Sequence, residues 1–183
     1  MRMAAPQYWT ADMVRALPDD GKRYETVYGE LLVSPSPGVT HQIVHARLFG
    51  ALHEFLTRFR MGLVLSAPAD ISWKRPDVLV QPDLFVAPLE QLRTSRWSEV
   101  MHLSLAIEIL SPSSNRQDRF TKRRLYQEMR VDEYWVVDTE APAVEVWTPD
   151  STFPRVEERE LMWHPAGGAQ SLGIDLSELF RPL

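Results

Sequence analysis

The chain has 183 residues, 44% of them hydrophobic, and its 20 basic and 25 acidic side chains leave a net charge of −5. That is long enough for a core that needs no staples, and the acidic balance argues against a general nucleic-acid coat protein while leaving room for an enzyme with a local basic patch. Zero cysteines exclude disulfides, thiolate nucleophiles and zinc–thiolate sites; no apolar run reaches a membrane span, and Met1–Pro6 lacks the apolar core of a signal peptide, so a cytoplasmic protein is expected.

No repeat, low-complexity tract or interdomain linker is visible, and a single domain over residues 1–183 is expected. Thr10 is placed as the N-cap of a short helix over 11–17 that stops at Pro18. Residues 23–27 and 30–34 read as strands around a Tyr28-Gly29 turn. After the loop Pro35-Ser36-Pro37-Gly38, Thr40 caps a long helix to about Arg60, with Ile43, Val44, Leu48, Leu52, Phe55 and Leu56 at helical spacing. Strands are expected at 63–67, 69–73, 78–80, 83–86 and 103–110. A helix over about 117–129 then leads to a strand over 133–138, a βαβ unit whose strands run parallel with a right-handed crossover. Segments 144–147 and 155–162 continue as an antiparallel edge, and 176–180 forms a terminal helical turn. The sum is an α/β protein, a mixed sheet flanked by helices, in which ligands bind beyond the carboxyl ends of parallel strands.

Two of the apolar strands carry a carboxylate each. Glu108 sits in Ser104-Leu105-Ala106-Ile107-Glu108-Ile109-Leu110, just before the strand breaks at Ser111-Pro112, and Asp83 follows Leu79-Val80-Gln81-Pro82. A lone acid in such a run costs several kcal/mol unless a cation or hydrogen-bond donors balance it. Lys122, in the first two turns of the next helix, can return towards Glu108. Two carboxylates and a lysine suggest a site for Mg²⁺ or Mn²⁺, which prefer oxygen ligands, with Asp83 and Glu108 as ligands and the Ile109 carbonyl as a third. Such an ion polarises a phosphoryl group and activates water, and Lys122 orients the water or neutralises developing charge. The residues leave two alternatives open. Asp83 can be a strand-edge carboxylate bonded to an arginine, and Glu108 can form a buried ion pair with Lys122 that needs no metal.

Pro82-Asp83, Glu108-Ile109-Leu110-Ser111-Pro112-Ser113, Lys122, Tyr126 and Glu133-Tyr134-Trp135 occur in an order that resembles the Uma-type restriction endonuclease family, a branch of the PD-(D/E)XK nuclease superfamily. Arg23-Tyr24-Glu25, Tyr28-Gly29-Glu30 and His41 resemble the family's N-terminal pattern, so the motif-bearing core runs from about residue 23 to 138. The resemblance implies a restriction-endonuclease-like fold, a magnesium-dependent site acting on DNA, and a homodimer. It carries over Asp83 and Glu108 as metal ligands and Lys122 as the catalytic lysine, and matches Glu25 to a further acidic position. Two positions depart from the pattern: Leu110 stands where the superfamily's general motif has its lysine, and Arg130-Val131-Asp132 where the family has Gly-Val-Pro.

Arg116, Arg119, Lys122, Arg123 and Arg124 make the start of the 117–129 helix basic. Most of such a set faces solvent, yet a helix start beside arginines suits phosphate, and Arg116, Arg119 and Arg123 are the expected phosphate contacts. His41 reads as a solvated first-turn residue, Glu25 and Glu30 by their place in the hairpin as water-facing carboxylates, with only the resemblance lifting Glu25 to the site, and Tyr134 and Trp135 as core or dimer-contact residues. The expected function is a metal-dependent DNA endonuclease. Its rivals are a non-catalytic dimeric DNA-binding or interaction module on the same fold, and hydrolysis of another phosphate ester such as RNA or a nucleotide.

Overall fold

The computed structural model describes residues 7–183, so the expectation for Met1–Pro6 lies outside the described residues. The chain opens with α1 (Ala11–Arg15), whose N-cap Thr10 accepts a hydrogen bond from the Met13 amide. β1 (Arg23–Val27) and β2 (Glu30–Ser34) then pair as the expected hairpin. Its two-residue turn, Tyr28 and Gly29, has positive φ at both positions (55° and 78°), the conformation that matches the twist of paired strands. Tyr28 adopts it without being glycine. Its ring lies under Arg75 and Arg124, each 5.4 Å from the ring centre, and its hydroxyl donates to Glu128. A two-residue β4 (Val78–Leu79) pairs on the other side of β1, giving a three-stranded sheet in the order β2-β1-β4.

The long helix α2 (Val39–Phe59) starts one residue before the expected cap. Gly38 is the N-cap, with no side-chain hydrogen bond, and Thr40 lies inside the first turn. The six-stranded sheet runs β3-β5-β6-β7-β8-β9, from β3 (Leu63–Ser66), β5 (Leu84–Ala87), β6 (Leu105–Ile109), β7 (Glu133–Asp138), β8 (Ala143–Trp147) and β9 (Arg155–Glu157). Only β6 and β7 are parallel, as the βαβ reading requires. Between β5 and β6 lies α3 (Leu89–Leu92). The crossover from β6 to β7 is one continuous helical stretch, a π-helical turn over Gln117–Lys122 followed by α4 (Arg123–Glu128).

Two expected strands are corrected. Residues 69–73 form no strand; Ile71 makes an isolated bridge to Val80, and Trp73 and Lys74 turn the chain away with positive φ. The alternating Ala69, Ile71 and Trp73 are buried nonetheless, so that pattern records burial rather than pairing. Residues 155–162 divide between β9 and β10 (Glu160–Trp163), and β10 leaves the large sheet to pair with β11 (Leu172–Asp175), which the alternation did not reveal. The terminal turn is α5 (Leu176–Leu179), capped by the Asp175 carboxylate. Among the described residues no helix is long and apolar enough to cross a membrane.

The large sheet separates two apolar layers. Leu105, Ile107 and Ile109 of β6 join the layer that also holds Val44, Leu48, Leu52 and Phe55 of α2. Ala106 belongs to the opposite layer, with Leu125 and Tyr126 of α4. Side chains alternate along a strand, so Glu108 points to the α4 side. All five β6 residues are buried, and a central strand covered on both faces offers a carboxylate no water.

Candidate active site

Asp83 precedes β5 and sits at the floor of a cleft of about 870 Å³. Both its oxygens are engaged. Oδ1 accepts from Arg23 Nη1 at 2.7 Å, and Oδ2 accepts from the Ile109 amide at 2.8 Å and contacts His41 Nε2 at 3.0 Å. A carboxylate only accepts, so Nε2 carries the hydrogen. His45, one turn further along α2, bonds the Asp83 carbonyl through Nε2 at 3.2 Å. Burial opposes the charge on Asp83, but His41, Arg23 and the Ile109 amide outweigh it and hold the carboxyl below its usual range.

Behind this cleft Lys122 is enclosed by acids. Its Nζ lies 3.0 Å from Glu108 Oε1, 2.8 Å from Glu25 Oε2 and 3.6 Å from Asp118 Oδ1, and all four side chains are 1–2% exposed. Tyr126 donates to Glu108 Oε1 at 3.0 Å, and the Gln81 amide donates to Glu25 Oε1 at 2.7 Å. Glu25 Oε2, Glu108 Oε2 and Asp118 Oδ1 are buried without an aligned hydrogen-bond donor; the 2.8 Å approach of Lys122 to Glu25 is ionic contact only. Burial raises the Glu108 and Asp118 carboxyls, and neighbouring carboxylates add to the shift in both, while Lys122 acts against it. Burial pulls the Lys122 ammonium down, but Glu108, Glu25 and Asp118 together hold it above its ordinary value, so it stays protonated. The lysine is therefore a fixed positive charge and cannot serve as a base near neutrality.

The local sequence explains how these groups meet. Arg23 and Glu25 are two residues apart on β1 and so share a face. Asp118 and Lys122, four apart, both turn inward from the π-helical stretch, a distortion common at functional sites. Of the sequence-derived residues, Glu25, Glu108 and Lys122 come into direct contact, and Asp83 stands in the adjoining cleft under Arg23. Glu108 and Lys122 do not themselves line that cleft. Arg119 spends its guanidinium on Glu145, Asn115 and Asp138 at 2.7–2.8 Å. Arg123 bonds Gln127 and the Arg119 carbonyl and lies over Trp147. Arg116 is exposed, and none of the three lines the cleft. Glu30 faces water as expected, but its hairpin neighbour Glu25 does not, being buried against Lys122 and the Gln81 amide. Nor does His41, with its side chain 11% exposed against Asp83. Two members were given no role at the site by the sequence: Asp118, recoverable from its i, i+4 spacing to Lys122, and Arg23, which entered only as part of the Arg23-Tyr24-Glu25 motif although its alternation with Glu25 was an available signal.

Among the described residues no three acidic or histidine side chains are arranged so as to hold a metal ion. A sequence model of a family described as "Uma2: Putative restriction endonuclease" matches residues 11–176. Among solved structures, the chain is similar to a protein from Anabaena variabilis ATCC 29413 described as "a putative nuclease belonging to DUF820". The identity is 19% and the TM-score 0.75, over 94% of this chain and 97% of that one. At this identity the likeness speaks for the fold alone. No curated protein matches the chain.

Proposed function

The chain belongs to the Uma2 family of the PD-(D/E)XK nuclease superfamily, and on that premise we propose that it is a metal-dependent endonuclease acting on DNA. Asp83 and Glu108 would hold Mg²⁺ or Mn²⁺. The observation that carries this reading is the buried Glu108 oxygen with no donor, beside a lysine held protonated and a cleft floored by Asp83. Magnesium is commonly bound by one or two carboxylates, with water and substrate phosphate completing the shell, so two acids fit it without a third side chain. When bound, such an ion polarises the phosphoryl group and lowers the pKa of the attacking water.

The protein's own groups do the rest. Lys122, fixed by Glu25 and Asp118, presents a constant positive charge to the anionic transition state or orients the water. Tyr126, whose phenol burial keeps protonated, holds one Glu108 oxygen and leaves the other free. DNA as substrate, a cytoplasmic setting and a homodimer belong to the same proposal. The open edge at β9, with Val156 53% and Phe153 80% exposed, supports the last.

A second reading has its own support. Both Asp83 oxygens are already satisfied, and Glu108 has its ion pair without a metal, which suits a non-catalytic DNA-binding or interaction module. Titration calorimetry with Mg²⁺ and Mn²⁺, wild type beside Glu108→Gln, separates the two. Binding that disappears in the variant, followed by cleavage of plasmid or single-stranded DNA, supports the endonuclease. A wild type that binds neither ion, with a variant altered only in stability, gives the second reading the field.

A further inference from the structure

Arg23 supplies the positive charge that Asp83 holds in this structure, yet only part of its guanidinium is used. Nη1 makes both of its hydrogen bonds, to Asp83 Oδ1 at 2.7 Å and to the Gln81 carbonyl at 3.2 Å. Nε lies 3.8 Å from Glu25, too far for a hydrogen bond, and Nη2 makes none among the described residues. The Nε–Nη2 edge is one with which arginine engages a carboxylate or phosphate through two parallel hydrogen bonds. The side chain lines the cleft and is 23% exposed.

Lys22 is the one other lysine or arginine among the described residues that lines this cleft. Lys22, on the same cleft wall, gives its ammonium to Asp20 at 2.9 Å, and Arg119 and Arg123 are turned to the β8 side of the helix. A divalent ion on Asp83 and a guanidinium 2.7 Å from the same carboxylate repel one another. Arg23 would then lose its hydrogen-bonded carboxylate and keep the Gln81 carbonyl and a 3.8 Å ionic contact with Glu25, which leaves its Nε–Nη2 edge open to an anion in the cleft.

We propose that Arg23 is a phosphate-binding residue of this cleft, paired with Asp83 until a divalent ion takes that carboxylate and then free to clamp a phosphodiester. The inference rests on the reading of Asp83 as a metal ligand. It makes metal and nucleic acid binding mutually reinforcing, because each relieves the charge conflict that the other creates.

The test uses Arg23→Gln and Arg23→Lys, with two probes: Mn²⁺ alone by calorimetry, and a short DNA duplex in Ca²⁺ by fluorescence anisotropy over a salt series. Arg23→Gln is expected to bind Mn²⁺ about tenfold more tightly than wild type, since a competing cation is gone. Its duplex affinity should fall about tenfold, with a salt slope shallower by about one. Arg23→Lys keeps the charge on Asp83 and guards against a failure to fold; it should bind Mn²⁺ like wild type and still lose duplex affinity several-fold, because an ammonium has no fork. Folded variants with weaker Mn²⁺ binding, or with unchanged duplex affinity and slope, overturn the proposal and leave Arg23 as a structural partner of Asp83. A wild type that binds no Mn²⁺ is a different result: it removes the metal reading itself, and the release of Arg23 with it.

Discussion

Replacing Lys122 by methionine keeps an unbranched side chain that ends one atom short of Nζ and removes its charge, leaving Glu25, Glu108 and Asp118 buried with no cation among them. Breaking a buried ion pair in this way costs about 3–5 kcal/mol. The variant can relieve itself by binding one proton more than wild type, and neutralising an acid of ordinary pKa 4.5 costs about 3.4 kcal/mol at pH 7 and about 0.7 kcal/mol at pH 5. The expected loss is therefore about 3–4 kcal/mol at pH 7, out of the roughly 5–15 kcal/mol typical of a folded domain, or about 6–16 °C in Tm. It should shrink steeply as the pH falls. Urea unfolding followed by tryptophan fluorescence measures it, because Trp135 and Trp163 are 0% and 1% exposed and report loss of the core. Adding Glu108→Gln should restore much of the stability by removing the need for the extra proton. A loss below about 1 kcal/mol at pH 7, or one that does not change between pH 5 and 7, would refute the enclosed-lysine argument.

Two further outcomes follow from the same contacts. Asp83 is held below its ordinary 3.8, so its contribution is present above that pH and lost as pH falls through its lower folded value. Glu108 and Asp118 are raised above 4.5 and 3.8, so their neutral forms favour the fold at low pH and that advantage is lost as pH rises towards their folded values. Thermal unfolding should show stability declining as pH rises above about 4.5, and declining less in Asp118→Asn; a Tm that climbs from pH 5 to 8 contradicts this. Arg119→Ala should cost about 1–3 kcal/mol, because Asp138 and Glu145, 15% and 18% exposed, lose a charged partner. It should leave duplex affinity within about twofold of wild type, whereas a large drop measured by anisotropy would return Arg119 to the phosphate contacts.

The elements that were legible in the sequence are those whose signal is local. The β1–β2 hairpin follows from alternation on either side of Tyr28-Gly29, and the parallel β6–β7 pair follows from two apolar strands separated by one helix. The acids were legible for a related reason: a carboxylate inside an apolar strand must find a partner, whatever that partner is. Where the reading failed, the missing information was the neighbour. Residues 69–73 alternate as a strand does, but no second strand runs beside them beyond the bridge at Ile71. The apolar and charged alternation over 155–162 does not show that β9 and β10 belong to different sheets.

Charge partnership shows the same division. The residues themselves determined that Asp83 and Glu108 would be costly in apolar strands and that Lys122 lay within reach of one of them. Only the tertiary structure decided that Asp83 is neutralised by Arg23, 60 residues away, and bonded by His41 from the start of α2. It likewise decided that Arg119 is consumed by Asp138 and Glu145, and that Asp118 joins Glu25 and Glu108 around a single ammonium. A side chain's type and the period of its element are set within a few residues of chain, and they decide whether it is buried. The sign and distance of the charge facing it are set by strands brought together from far apart, and at this site those decide which carboxylate oxygens remain free.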